Sequence, residues 1–315
     1  MTNDSSILNT TVNETAGRSL IRIYDAHLTA WFAVNFILMT VAVTFLVLII
    51  YAVAKGKKQE ISASQTLILH LLCAELAICG GLYPAIQFTY YLPTFRFGTY
   101  SCDLFQFFYM LIVGAEQWTM FSLSLNRLLA IFAPLSYGRY VNKRSMLSTL
   151  GIAWTIPLIV TIMPAAKIGG QSAAMYIPWS TCVVRPSPSL ETWALQAVNF
   201  VCMVIPLAGT ILSYSVILLG SWKRYGSGRS VVDQRFVTHA EQMEHARQRK
   251  KLGMARMLFV SAFWYMLCYL PHTMIVSFGP QLYAKYPHLG LWTRTIYFMG
   301  FAGNPVMMRY MNQNA

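Results

Sequence analysis

Charge is what this chain has least of. Of its 315 residues only 11% are Asp, Glu, Lys or Arg, and acidic residues number 11 against 24 basic ones. A soluble domain carries about 25% charged residues, so there are too few solvating groups here to face water on every side. No CxxC pair and no Cys/His spacing of the metal-binding kind occurs, which argues against a zinc site. The chain shows no internal repeat, no low-complexity tract and no second domain. Residues 1–28 are polar and lack the short apolar core and small-residue cleavage site of a cleaved signal peptide. The first apolar span is therefore expected to act as its own insertion signal. The shortage of acid leaves a net charge of +13. A basic excess suits nucleic acid when it forms a surface patch. Here it sits in short loops between apolar blocks, and no nucleic-acid partner is expected.

What the chain has instead is length in its apolar runs. It is 56% hydrophobic with a mean hydropathy of +0.47. Seven blocks of at least ~20 residues are each long enough to cross a bilayer as a helix. They run over about 29–54, 62–91, 99–133, 144–166, 190–222, 249–278 and 288–312. The fold class expected is all-α, a seven-transmembrane helix bundle over 29–312. It lies between an extracellular tail, 1–28, and a cytoplasmic end, 313–315. Pro84, Pro157, Pro206, Pro271 and Pro305 fall inside spans, where buried neighbours can satisfy the carbonyls a proline frees.

Orientation follows from the basic residues between spans. One set of connections carries fourteen Lys and Arg, with Lys55, Lys57 and Lys58 first and Arg247, Arg249, Lys250 and Lys251 last. The opposite set, tail included, carries six. The richer set is expected in the cytoplasm, which places the N-terminus outside. Three N-glycosylation sequons in the tail, at Asn3, Asn9 and Asn13, agree with that side. The longest cytoplasmic connection, 222–249, is basic and polar. It reads either as a solvated linker or as a docking surface.

Residues inside the spans are more specific, because buried ionisable and polar groups in lipid are costly. The third span opens with Phe95-Arg-Phe-Gly-Thr-Tyr-Ser-Cys102 and closes with Ser124-Leu-Asn-Arg127-Leu-Leu-Ala-Ile-Phe-Ala-Pro134. The fourth carries Trp154, the fifth Pro206 with Tyr214 eight residues on. The sixth carries Cys268-Tyr-Leu-Pro271, and the seventh Asn304-Pro-Val-Met-Met308. In this order the set resembles the rhodopsin-like (class A) G-protein-coupled receptors over nearly the whole chain. The resemblance implies a multi-pass plasma-membrane receptor, not an enzyme, that passes the binding of an extracellular ligand to a heterotrimeric G protein. It implies a disulfide between Cys102 and a cysteine of the second extracellular loop, for which Cys182 stands. It implies that Arg127 meets the G protein on activation with Tyr214 in support. It also implies that Tyr269 and Pro271 belong to the sixth-helix switch, and Asn304 and Pro305 to that of the seventh.

The departures from the family pattern are specific too. The aspartate expected before Arg127 is Asn126, and the tyrosine after it is Leu128. Asn126 cannot hold Arg127 by a charge-assisted bond, and the foot of the sixth span is Lys250 and Lys251 rather than an acid. An easily opened receptor with high basal signalling is expected. Tyr269 stands for the usual tryptophan, Met308 for the usual tyrosine and Thr44 for the usual asparagine of the first helix.

Glu75 stands where the family's second-helix aspartate binds sodium with a third-helix serine; that serine position is Glu116. Two carboxylates in low dielectric cannot both ionise cheaply, so Glu75, Glu116 and Asn304 are read as a shared-proton pair, a Na⁺ site or a pH-sensitive switch. For the ligand, the aspartate of monoamine receptors is replaced by Tyr109 and the lysine of opsins by Phe298. Arg294 lies about three turns above Asn304. It reads as an anchor for an anionic ligand, or as a cation that snorkels to the interface or pairs with Asp25, Asp103 or Glu191. Tyr109, Met110, Asn199, His272 and Thr273 are expected to complete the site. An acidic lipid or organic acid comes first as ligand, a peptide close behind. A transporter and a non-coupling decoy receptor are the rival readings.

Overall fold

A chain segment in hydrocarbon has to pair each backbone N–H and C=O within the protein, and a continuous helix does this inside one segment. The computed structural model describes residues 26–55, 63–92, 98–133, 142–166, 171–176, 181–186, 200–226, 259–275 and 286–313, with single positions 137, 253 and 282 between them. Seven helical spans lie among the described residues. Helix α1 is Ala26–Lys55, and α2 is Ala63–Ala77 continued through Ile78–Leu82 and Tyr83–Tyr91. Helix α3 is Thr99–Phe132 and α4 is Lys143–Ala165. Helix α5 is Phe200–Val204 continued by Ile205–Gly226, α6 covers 259–275, and α7 is Pro287–Gln313. The all-α expectation holds for the bundle. The connection after α4 adds a hairpin, β1 (Gln171–Tyr176) antiparallel to β2 (Thr181–Pro186), with Met175 opposite Cys182.

Helix α1 shows how the bundle chooses its faces. It is apolar all round, so hydropathy alone does not mark an inside. Leu28, Trp31, Asn35, Met39, Ala42 and Leu46 are buried, at spacings of three and four that make one stripe. Phe36, Ile37, Val41 and Leu48 lie exposed on the other side, as lipid-facing residues do. The stripe is marked by a tryptophan, an asparagine and an alanine rather than by greater hydrophobicity.

Two helices widen by one residue per turn. Ile78–Leu82 in α2 and Phe200–Val204 in α5 are π-helical, just ahead of Pro84 and Pro206. A proline has no N–H to give and its ring crowds the preceding turn; a local π turn relieves both. Helix α3 runs through the middle of the bundle. Gly114 lets α4 come close, because a Cβ there would lie 2.8 Å from Cβ of Pro157. Gly209 of α5 likewise leaves room for the Phe121 ring of α3. At its start α4 is capped by Asn142, whose side chain accepts from the Ser145 N–H at 2.8 Å.

Candidate functional site

The outer half of the bundle gathers aromatic rings around one cation. Arg294 of α7 donates through Nη1 to the Tyr90 hydroxyl of α2, and its guanidinium carbon sits 5.3 Å from the centre of the same ring. Charge and quadrupole both favour that placement. Tyr90 is in turn met edge-on by Trp31 at 5.5 Å. The Trp31 indole N–H donates to Thr295 Oγ1 at 2.8 Å and to the Leu291 carbonyl at 3.1 Å, tying α1 to α7. Across the bundle the Tyr109 hydroxyl of α3 donates to that of Tyr297 at 3.4 Å. His272 of α6 lies 5.4 Å from the Tyr297 ring. Arg294 is within electrostatic reach of both Tyr109 and His272. The structure thus brings Tyr109, His272 and Arg294 to one region from three helices.

The other expected ligand residues have different immediate surroundings where they are described. Met110 lines a small cleft between α3 and α4 with Asp103, Gln106 and Thr161. Thr273 donates back to the Tyr269 carbonyl of its own helix at 2.9 Å. Asn199 and the sequons at Asn3, Asn9 and Asn13 lie outside the described residues. Three residues of this region were not singled out in the sequence: Trp31, Tyr90 and Tyr297. Their signal was faint, since an aromatic ring in an apolar run carries no periodic mark of its partner.

Below this region tyrosines continue inward. Tyr269 lies 5.7 Å from Tyr297 and stacks on Tyr265 at 5.8 Å, and Tyr265 meets Phe301 edge-on at 5.2 Å. Tyr265 is within electrostatic reach of Glu116. Glu116 and Glu75 are fully buried and within reach of each other. Gln117 Nε2 donates to Glu116 Oε2, while Oε1 has no hydrogen-bond partner among the described residues. An unpartnered carboxylate oxygen beside a second acid suits a shared proton as well as a hard cation, so the pair keeps all three readings that the sequence offers for it. Asn304 and Pro305 lie in the α7 helix, but their side chains are outside the described residues.

A further polar junction was missed. His70 of α2 accepts from the Trp154 indole N–H of α4 at 2.8 Å, and its other ring nitrogen lies 3.1 Å from Thr119 Oγ1 of α3. One imidazole joins three helices. Its signal was present: a lone histidine in an apolar run one turn before Glu75.

At the cytoplasmic end Asn126 and Arg127 are buried. Arg127 lies within electrostatic reach of Tyr214 and Tyr137. Its Nε and both amide atoms of Asn126 have no hydrogen-bond partner among the described residues. Outside, Cys102 and Cys182 form a disulfide with Cα atoms 5.4 Å apart, which fastens β2 to the top of α3.

Seven spans arranged in this way have a known counterpart. Residues 29–306 match the model of the 7 transmembrane receptor (rhodopsin family). The chain belongs to that family. This rhodopsin-family receptor is 24% identical over 279 residues to the Allatostatin-A receptor of Bombyx mori, covering 85% of this chain and 72% of that one. To Galanin receptor type 2 of Homo sapiens it is 25% identical over 295 residues, covering 90% and 69%. The crystal structure of squid rhodopsin superposes with a TM-score of 0.75 at 14% identity, covering 89% of this chain and 77% of that one; at that identity it speaks for the fold. The receptor is a multi-pass protein of the plasma membrane and a G-protein-coupled receptor.

Proposed function

We propose that this receptor binds an extracellular peptide in the outer half of its bundle and activates a heterotrimeric G protein through Arg127, without any enzymatic step of its own. The observation that carries the ligand class is the Arg294 guanidinium, set on Tyr90 and in electrostatic reach of Tyr109 and His272. A cation in an aromatic wall suits a chain that offers both a carboxylate and aromatic or carbonyl groups, as a peptide does. That its relatives are named for allatostatin A and galanin supports a peptide over the acidic lipid or organic acid that the sequence alone favours.

Binding acts by shifting a two-state equilibrium. A ligand spanning α2, α3, α6 and α7 favours the state in which those helices fit it best. The tyrosines from Tyr297 to Tyr265 offer a packed path toward the polar centre and α6. The buried Arg127, with Tyr214 in reach, supports the same coupling role on the opposite side.

The test is nucleotide exchange on a panel of G-protein α subunits, in membranes carrying the receptor. Allatostatin-A and galanin peptides serve as probes beside a set of fatty acids. A peptide is expected to raise exchange, and Arg294→Ala to weaken its potency about 10–100-fold, the size of one charge-assisted hydrogen bond. Activation by fatty acids alone, or peptide potency unmoved in Arg294→Ala, would overturn the peptide reading.

A further inference from the structure

Two exposed histidines meet where the extracellular ends of α1 and α7 come together. His27 lies in the first turn of α1 and His288 in the first turn of α7, 261 positions apart in the chain by their numbers. Their ring centroids are 5.2 Å apart with the planes at 49°, tilted rather than stacked. Stacked aromatic rings direct their edges apart; tilted imidazoles can direct nitrogens to a common point. With each nitrogen ~2.1 Å from a tetrahedral ion, two imidazoles on one ion have centroids about 5 Å apart.

The spacing below the pair shows why they meet. Trp31 is four residues after His27, on the same face of α1. Leu291 and Thr295, the acceptors of its indole N–H, follow His288 by three and seven on the same face of α7. The Trp31 clamp, fully buried, sets the register of the two helices, and the histidines continue that seam one turn outward into water.

We propose that His27 and His288 form an extracellular binding site for a transition-metal ion, Zn²⁺ by ligand type, that fastens α1 to α7. Imidazole is the donor that Zn²⁺, Cu²⁺ and Ni²⁺ prefer over Mg²⁺ and Ca²⁺. Among the described residues no group of three His, Cys, Asp or Glu closes on a common point. The two imidazoles supply two positions of a tetrahedral ion, and water or a donor on an entering ligand can supply the others. Arg294 lies on α7 at the level of the clamp, between Leu291 and Thr295 in the chain. An ion at the pair thus acts on the helix that carries the candidate ligand anchor, outside the pocket itself. The site stands on the α1–α7 seam and holds whatever ligand the receptor proves to take.

The experiment uses the full receptor purified in detergent, with its unfolding midpoint followed as ZnCl₂ is added. An ion that binds the folded state raises the midpoint with concentration. A rise of a few degrees is expected with Zn²⁺ and none with Mg²⁺ or Ca²⁺, and the rise is lost in His27→Ala and equally in His288→Ala. Both positions are exposed, so the ion-free midpoints of the variants stay close to that of the parent. Zn K-edge absorption on the parent receptor gives a reading independent of any variant: two imidazole nitrogens are expected in the coordination shell. The site is overturned by a Zn²⁺ response that survives either substitution, by the absence of a response, or by a shell without two imidazoles.

Discussion

At the scale of single residues, the interior of this receptor holds two acids. Glu116 places a second carboxylate in reach of Glu75, in a bundle where each is fully buried. Only one Glu116 oxygen is met by a protein donor among the described residues. Leaving a buried charged group without its partners costs about 1–3 kcal/mol or more, and a bound cation offsets that cost. Glu116→Gln keeps the shape and removes one charge. Its midpoint in Na⁺-free buffer is expected to exceed that of the parent receptor. The parent's midpoint is expected to rise with Na⁺ and the variant's to stay flat. Equal Na⁺ slopes in the two proteins would remove the cation from this pair. Arg294 gives the complementary lesson. The sequence offered an anionic ligand, the interface, or Asp25, Asp103 or Glu191 as its partner; among the described residues the structure adds the ring and hydroxyl of Tyr90. The tyrosine was missed because a neutral aromatic does not advertise itself as a partner for a cation.

At the scale of elements, the foot of α3 is where a looser resting state is expected. Asn126 is buried beside Arg127, yet neither atom of its amide has a hydrogen-bond partner among the described residues. A carboxylate there would hold the guanidinium by a charge-assisted bond, about twice as strong as a neutral one. Asn126→Asp is therefore expected to lower ligand-independent G-protein turnover several-fold, while the maximum response to ligand changes little. Turnover equal to or above that of the parent would remove Asn126 as a cause of basal signalling. Elements also show where reading along the chain stops short. Pro84 and Pro206 were visible as interruptions, but the π turns at Ile78–Leu82 and Phe200–Val204 were not. How a helix absorbs a proline depends on what packs beside it, and those neighbours are far away in sequence.

At the scale of the whole molecule, one covalent bond ties the outer surface together. The Cys102–Cys182 disulfide closes a loop across a sequence separation of 80 and pins the β1–β2 hairpin to the top of α3. Removing a native disulfide from a small domain costs about 2–5 kcal/mol. The loss here falls on the side where α2, α3, α6 and α7 bring the candidate ligand residues together. Cys102→Ser is expected to lower both the unfolding midpoint and the ligand potency, with Cys182→Ser giving the same result. The double variant should be no worse than either single one, since each breaks the same bond. Surface delivery measured alongside separates a folding loss from a binding loss.

The sequence by itself determined that this chain is a bundle of membrane helices, which way it faces, and which family it belongs to. Those features are written locally, as apolar length, as loop charge and as motifs within single spans, and bilayer physics acts on each segment separately. Only the tertiary structure decided which face of α1 turns inward, that His70 joins α2, α3 and α4, that the Tyr90 ring and hydroxyl meet Arg294, and that Met110 lines a cleft against α4. In a bilayer both sides of a helix are apolar, so the choice of face and partner is made by shape, close approach and a few hydrogen bonds between helices, and those depend on residues that the chain brings together only when it folds.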